Sequence, residues 1–160
     1  MLTLGEMLIR FGAAILLGLL IGLERESIGK EAGVRTDMLV AAGAAIFSIV
    51  GLSLPYIVAV GNLSDVVARN SGFLAVIANV VVGIGFLGAG IIVKRGVHVR
   101  GVTTAATVWF VAAVGVLCGV GLLGFAAIAT GSVVVLLLIL RRLNFPLLIE
   151  RAEEKEKEHT

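Results

Sequence analysis

The sequence predicts an all-α, polytopic membrane protein, a compact bundle of about five transmembrane helices. Hydrophobic residues make up 59% of the 160-residue chain and charged residues only 15%, whereas an ordinary soluble domain has about 25% charged residues. So few charges cannot cover the surface of a soluble domain of this size, and the hydrophobicity excludes a disordered chain. Lipid is therefore the predicted solvent, and at about 20 residues per helix the length allows four to six spans.

Uncharged stretches define the predicted spans, which cover residues 4–23, 38–60, 71–93, 102–118 and 122–140. The last two come from one stretch without a charge, residues 101–140. As a single helix this stretch would be about 60 Å long, twice the thickness of the hydrocarbon core. It must therefore turn once, and the cluster of Gly119, Gly121 and Gly124 is the predicted turn. The first span lacks a preceding basic segment, which favours a retained helix over a signal peptide.

Basic residues predict the orientation. The first loop, the third loop and the segment after the fifth span carry three, three and five Lys or Arg residues, whereas the other face carries Arg10 and Arg69. Because basic residues favour the cytoplasmic side, we expect the N-terminus outside and the C-terminus in the cytoplasm. Residues 1–143 are predicted to form one transmembrane domain, followed by a charged cytoplasmic tail over residues 144–160.

The middles of the spans are almost bare of the charges that transporters usually carry. Asn79 is the notable polar residue, about eight residues into the third span. A buried amide without a hydrogen-bond partner costs several kcal/mol in hydrocarbon. Two alternatives satisfy this need: a hydrogen bond between helices, or a place in a permeation or ligand site.

Glycines cluster in the third span, where residues 83–90 read GIGFLGAG. The dinucleotide-binding pattern that this stretch resembles needs a preceding strand and an acidic residue about 20 positions later, and both are missing. On a helical wheel Gly83 and Gly90 share a face with Asn79, while Gly85 and Gly88 lie on the far side. These faces predict close packing and a central third span. A broken helix whose free backbone groups face an ion is the alternative.

The predicted chemistry lies in the loops of the basic face. The first loop, residues 24–37, holds four acids and three bases, and Thr36 and Asp37 are predicted N-caps of the second helix. Threonines that open the fourth span could form an anion site, the carboxylates of Glu24 and Glu26 could hold Mg²⁺, or salt bridges could simply lock the loops together.

We expect this first loop to meet the start of the fourth span and residues 88–90 of the third. The leading residues are Glu24, which directly follows an apolar run, and Arg35, which can reach a carboxylate bidentately. The full predicted site comprises Glu24, Arg25, Glu26, Lys30, Arg35, Thr36, Thr103 and Thr104.

Small residues on other spans predict helix association. Gly18 and Gly22 form a GxxxG pattern in the first span, and Ala105 and Ala112 repeat at seven residues in the fourth. Helices in lipid have little reason to associate without such faces. The chain has more of this surface than one bundle obviously needs, so we expect a homo-oligomer, most simply a two-fold dimer.

Three blocks of the sequence resemble the N-terminal membrane domain of the MgtC/SapB family. They are residues 22–26 with 30–40, residues 83–90, and residues 101–109 with 112, 113 and 115. Their order and spacing fit the family over residues 18–120. The chain departs from the family at Val34, Asn79 and Val82, where relatives often have Leu, Gln and Ser, and before the third span, where many relatives have Asp-Pro-x-Arg. The predicted intramembrane polar and packing residues are Asn79, the glycines of the third span and Trp109 of the third block: Asn79, Gly83, Gly85, Gly88, Gly90 and Trp109.

The resemblance implies a protein of a prokaryotic cytoplasmic membrane that is linked to Mg²⁺ homeostasis and adaptation to low Mg²⁺. It covers the membrane domain, without the ACT-like C-terminal domain of many relatives. Some members look like regulators that bind other membrane machinery, including the F-type ATP synthase. The predicted function is therefore regulation of another membrane complex, an ATP synthase or a transporter; transport of Mg²⁺ or another cation is the alternative.

The sequence does not point to an enzyme, because no nucleophile–base pair or metal triad is visible. The expected partners are the lipid bilayer, a second copy of the chain and another membrane complex. No nucleic acid is expected at a net charge of +2, and Mg²⁺ is the one cofactor considered.

Overall fold

A computed structural model of the chain describes residues 2–58, 71–95 and 97–142. Each of the five helices in these ranges is long and apolar enough to cross a membrane. The predicted all-α membrane class and the five spans are therefore confirmed. Residues 59–70 and the predicted tail, residues 144–160, lie outside the described residues. The helices are α1 (Leu4–Ser27), α2 (Val34–Val58), α3 (Ser71–Ile91), α4 (Val102–Val120) and α5 (Leu123–Arg142).

The ends of α1 and α2 extend beyond the apolar stretches. A capping box starts α1, because the Thr3 hydroxyl accepts from the Glu6 amide at 3.3 Å and the Glu6 carboxylate accepts from the Thr3 amide at 2.8 Å. At its C-terminal end, α1 reaches Ser27, whereas the predicted span ended at residue 23. Helix α2 begins at Val34, whereas the predicted span began at residue 38. Both extensions carry charged residues, which hydropathy alone assigned to the loop.

A short antiparallel hairpin, which the sequence analysis missed, connects α3 to α4. Its strands are β1 (Val93–Arg95) and β2 (His98–Arg100), and Val93 lies opposite Arg100. Gly101 then turns the chain into α4 with a left-handed φ of +84°. A Cβ atom at Gly101 would overlap the Ile91 carbonyl oxygen, so only glycine fits where the hairpin returns to the end of α3.

The centre of the bundle is formed by α2 and α4. About half of each helix is buried, against 6% of α3 and 11% of α5. Alanines, valines and the single cysteine supply much of this interior, so the side chains are small and the helices can lie close together. The central cluster comprises Ala14, Ile21, Ala41, Ala45, Val111, Val114, Cys118 and Ala126.

On one side of α2, the two glycines of the α1 GxxxG pattern bring α1 into backbone contact. A Cβ atom at Gly18 would lie 2.7 Å from the Asp37 carbonyl oxygen, and one at Gly22 would lie 2.6 Å from the Val34 Cα atom. Any side chain at either position would push the two helices apart. The first span therefore uses its small face inside the chain.

A second glycine pair brings α4 against α2. Gly115 lies against the Ala41 carbonyl oxygen, and a Cβ atom there would be 2.8 Å from the Ala44 Cβ atom. One turn later, a Cβ atom at Gly119 would be 2.6 Å from the Ser48 Cβ atom. Helix α2 thus packs against the glycines of both α1 and α4.

The third helix lies at the edge of the bundle, so its predicted central position is wrong. Within the described residues, Gly88 is the only one of its glycines with a neighbour in another helix, because its Cβ position lies 3.6 Å from the Ala105 Cβ atom. No atom of those residues lies within 4 Å of the Cβ positions of Gly83, Gly85 and Gly90. The helix is also continuous from Ser71 to Ile91, which contradicts the broken-helix alternative. Glycine spacing indicates a packing face without indicating whether the neighbour belongs to the same chain.

Arg10 closes the end of the bundle where α4 finishes. Helix α4 ends at Gly121, which has a left-handed φ of +94°, so the predicted turn is confirmed. The Arg10 Nη1 atom donates to the Gly119 carbonyl oxygen at 2.8 Å, and a Cβ atom at Gly121 would lie 2.8 Å from the guanidinium. The guanidinium thereby occupies the helix C-terminus, where a positive charge is stabilising.

We expect Arg10→Gln to lower the free energy of unfolding by about 1–2 kcal/mol. The substitution removes a charged hydrogen bond and a cation from the α4 C-terminus. Thermal unfolding in mild detergent measures the loss. Lys30→Gln is the control, because Lys30 is exposed and lies outside any helix; an equal loss for both variants would show that Arg10 has no special role.

Candidate functional site

The first loop, the hairpin and the end of α5 meet at one end of the bundle. The Thr104 hydroxyl, in the first turn of α4, donates to the Glu31 Oε2 atom at 2.6 Å. Arg141, near the end of α5, donates to the Ser27 hydroxyl at 3.3 Å. Arg10 lies at the opposite end. The helices thus alternate in direction, as a five-span chain requires.

Glu24 and Arg25 form a salt bridge inside this end of the bundle. Each side chain is only 4% exposed, and the Arg25 Nε atom also donates to the Glu24 Oε2 atom. The pairing is expected, because a charge placed within a membrane costs about 2.5–3.5 kcal/mol or more. The other carboxylate oxygen, Glu24 Oε1, is buried without a hydrogen-bond partner among the described residues.

Asp37 is a third buried charged residue, whose burial the sequence did not lead us to expect. Its side chain is fully buried, and neither carboxylate oxygen has a hydrogen-bond partner in the part of the chain that the structure describes. It was predicted as an N-cap, but α2 begins three residues earlier, so Asp37 lies within the first turn. The Arg25 guanidinium attracts its carboxylate. The buried Arg25 guanidinium therefore attracts two buried carboxylates, those of Glu24 and Asp37.

A helical repeat could have revealed Asp37. The residue is followed on the same face of α2 by Ala41, Ala45 and Ser48, and all four are buried. An acid that begins a stripe of small residues at this spacing indicates a buried carboxylate. Hydropathy alone assigns Asp37 to the charged first loop, so it does not show that the stripe of small residues on α2 begins at Asp37.

The remaining predicted loop residues contact backbone or solvent. The Glu26 Oε2 atom accepts from the Val34 amide at 2.9 Å, which stabilises the start of α2. Lys30, Arg35 and Thr103 are exposed, and Thr36 is partly buried. Arg35 makes no salt bridge with a described residue, so the expected bidentate contact to a carboxylate is absent there.

Glu31, which the sequence analysis did not single out, is the acid that contacts α4. Its partner Thr104 is almost fully buried, whereas the Glu31 side chain faces solvent. The hydrogen bond from Thr104, followed by one from its own backbone, holds the pKa of Glu31 below its ordinary value of 4.5. Glu31 is therefore ionised at neutral pH.

We expect Thr104→Val to reduce the loss of stability in acid. Because the pKa of Glu31 is lowered in the folded state, its ionised form stabilises the fold above the ordinary pKa, and this contribution disappears as the pH falls through the folded value. Wild-type protein should lose more stability than the variant between roughly pH 6 and pH 3. Thermal unfolding across this range measures the difference, and parallel curves would contradict the assignment.

A metal centre finds little support in the described residues. They contain no group of three or more His, Cys, Asp or Glu side chains placed to hold a metal ion. The two predicted Mg²⁺ ligands are both engaged, since Glu24 pairs with Arg25 and Glu26 binds a backbone amide.

Asn79 lies on the wall of an apolar cavity of about 600 Å³ between α2 and α3. It is exposed, as is Gly83 one turn later. Trp109 lines a smaller cavity of about 260 Å³ between α3 and α4. Both cavities lie beside the peripheral helix, so the predicted intramembrane residues other than Gly88 face open space.

Comparisons with known proteins give a consistent result. A model described as the MgtC family matches residues 11–145. Protein MgtC of Brucella abortus (strain 2308) is 48% identical over 130 residues, which cover 81% of this chain and 49% of that protein. Protein MgtC of Salmonella typhimurium (strain LT2) is 45% identical over 118 residues, or 74% of this chain and 45% of that protein. The chain thus spans about half the length of the curated relatives it matches. No solved structure matches it.

Proposed function

Because this chain belongs to the MgtC family, we propose that it is a non-enzymatic protein of a prokaryotic cytoplasmic membrane that serves Mg²⁺ homeostasis by regulating another membrane complex. An ATP synthase and a transporter are the partners considered. The proposal concerns the membrane domain alone, since the chain spans about half the length of its curated relatives.

The observation that carries this proposal is the open face of α3. Gly83 and Gly90 share one face of this helix, and among the described residues neither has a neighbour within 4 Å of its Cβ position, although glycines in a membrane helix typically allow a second helix to approach closely. The chain's own helices use their glycines in this way at Gly18 and Gly115. A helix from another membrane protein, or from a second copy of this chain, therefore fits the α3 face.

Cross-linking tests the occupant of this face. Gly83→Cys in a Cys118→Ala background places the only thiol there, since the chain has one cysteine. Oxidation in membranes should give a product of twice the chain's mass for a homodimer, or another mass for a different partner. Gly131→Cys on α5, where the Cβ position is also open, is the matched control. Monomer alone, or the same products from both variants, would contradict a specific interface at α3.

Transport of Mg²⁺ or another cation is the second candidate. Asp37 favours it, because a buried carboxylate without a hydrogen-bond partner among the described residues is typical of ion and proton pathways. Flux measured in liposomes that contain only the purified protein separates the candidates. The regulatory proposal expects no flux above empty liposomes. Robust Mg²⁺ flux that Asp37→Asn abolishes would overturn it in favour of transport.

The proposed orientation places the N-terminus outside and the charged loops in the cytoplasm. It is supported by the basic residues of the first loop, the hairpin and the α5 end, which share one end of the bundle. In a Cys118→Ala background, a membrane-impermeant maleimide should label Gly5→Cys in intact cells and Lys30→Cys only after permeabilisation. The reverse result would overturn the orientation.

A further inference from the structure

A polar cavity of about 540 Å³ lies between the hairpin and the first loop. It lies where α3 ends and α4 begins, so in a membrane it is at the depth of the lipid headgroups. Strand pairing sets its composition, because Val93 and Arg100 are directly opposite and His98 is two residues from Arg100 on the same side. The lining residues are Glu31, Ile91, Val93, His98 and Arg100.

The Glu31 carboxylate and the Arg100 guanidinium both line this cavity, and they form no salt bridge with each other in the described structure. Glu31 is held by Thr104, which is buried, and the hydrogen bond keeps its pKa below the ordinary value. Lys30 and Arg100 both attract the Glu31 carboxylate, yet neither forms a salt bridge with it among the described residues. The space between a fixed carboxylate and a guanidinium suits a ligand that carries both charges.

We propose that this cavity binds a phosphate ester with a primary ammonium group, the chemistry of a phosphatidylethanolamine headgroup. The Arg100 guanidinium donates to the phosphate, for which its planar fork is suited, and a His98 ring N–H adds a donor. The Glu31 carboxylate accepts from the ammonium group. Ile91 and Val93 provide apolar surface for the glycerol and the first acyl carbons. Soluble phosphoethanolamine has the same polar groups and is the other source of this chemistry.

The charges at the cavity discriminate among common lipids. Phosphatidylglycerol supplies a phosphate and no cation, so Glu31 would face an anion without compensation. Phosphatidylcholine supplies a cation without N–H groups, so it cannot donate a hydrogen bond to Glu31. A primary ammonium ester satisfies both sides of the cavity.

Lipid retention tests the proposal. The full chain is purified in mild detergent, incubated with equal amounts of the three lipids, and analysed by native mass spectrometry. Phosphatidylethanolamine should be retained over the other two. Glu31→Gln and Arg100→Gln should each weaken its retention roughly tenfold, the loss expected for one charge-assisted hydrogen bond, and Arg100→Lys should retain part of it. Lys94→Gln removes an exposed charge on the other face of the hairpin, where Lys94 pairs with Val99, and should have no effect.

Each outcome has a defined meaning. Equal retention of the three lipids, or an equal effect of Lys94→Gln, overturns the proposal. Loss with Arg100→Gln but not with Glu31→Gln overturns it too, because a phosphate alone would then suffice. Soluble phosphoethanolamine that displaces the lipid at equal concentration supports the site and assigns it to the soluble ester. Circular dichroism of each variant must match wild type, and Glu31→Asp, which retains the charge, provides a second variant should Glu31→Gln fail to fold.

Discussion

Gly115→Leu is expected to prevent α2 and α4 from packing. At this position a Cβ atom already overlaps the Ala41 carbonyl oxygen and lies 2.8 Å from the Ala44 Cβ atom. Adding side-chain atoms to a packed interior typically costs about 1–3 kcal/mol. We expect the cost here to reach or exceed the top of that range, because the closest atom belongs to the Ala41 backbone and alanine has no rotamer that could move the Ala44 Cβ atom. Thermal unfolding and protease resistance in detergent measure the loss.

Gly83→Leu is the matched control for this prediction. It adds the same side chain to another glycine in a membrane helix, but its Cβ position has nothing within 4 Å. The isolated chain should therefore keep its stability, and only association through α3 should weaken. Equal destabilisation by the two variants would contradict the arrangement in which α4 is central and α3 peripheral.

Arg25→Gln is expected to destabilise the bundle more than Glu24→Gln does. Removing one partner of a buried ion pair costs about 3–5 kcal/mol, because the other charge stays buried. Loss of Arg25 leaves both Glu24 and Asp37 without their neighbouring cation. Loss of the Glu24 charge still leaves Arg25 with Asp37, so the penalty is smaller.

A double-mutant cycle tests this asymmetry. Combining Arg25→Gln with Glu24→Gln removes one of the two stranded acids and should restore part of the stability. Arg35→Gln is the control, since Arg35 is an exposed surface residue and such substitutions usually change stability by less than about 0.5 kcal/mol. Additive losses in the double variant would show that Glu24 and Arg25 are not coupled.

Hydropathy was sufficient to predict the five spans, because a helix in lipid must satisfy its own backbone and carry apolar side chains. The same signal misplaced the ends of α1 and α2. Glu24, Arg25 and Asp37 are charged, so the sequence analysis put them in a loop, but the neighbouring helices bury them. Burial of a charge depends on tertiary contacts that hydropathy does not contain.

The candidate site was predicted by region and only partly by residue. Dense charge in the first loop correctly indicated paired side chains, yet Glu24 pairs with its neighbour Arg25 and not with Arg35. Thr104 was singled out, but its acceptor Glu31 was not. A sequence shows which charged groups need partners. Which of several nearby acids becomes the partner depends on the rotation of the helices and on the hairpin. Strands of three residues are too short for a sequence pattern to predict that hairpin.

The contact between Arg10 and Gly119 also has a consequence for biosynthesis. The two residues are 109 positions apart, so most of α4 must be synthesised before the guanidinium of the first helix finds its acceptor. The hydrogen bond between Arg141 and Ser27 joins residues 114 positions apart, so it can form only later still. A chain whose synthesis stops after α3 therefore has Arg10 in its first span without this acceptor. Both contacts need helices made late, so the bundle can close only when its last two helices have been inserted.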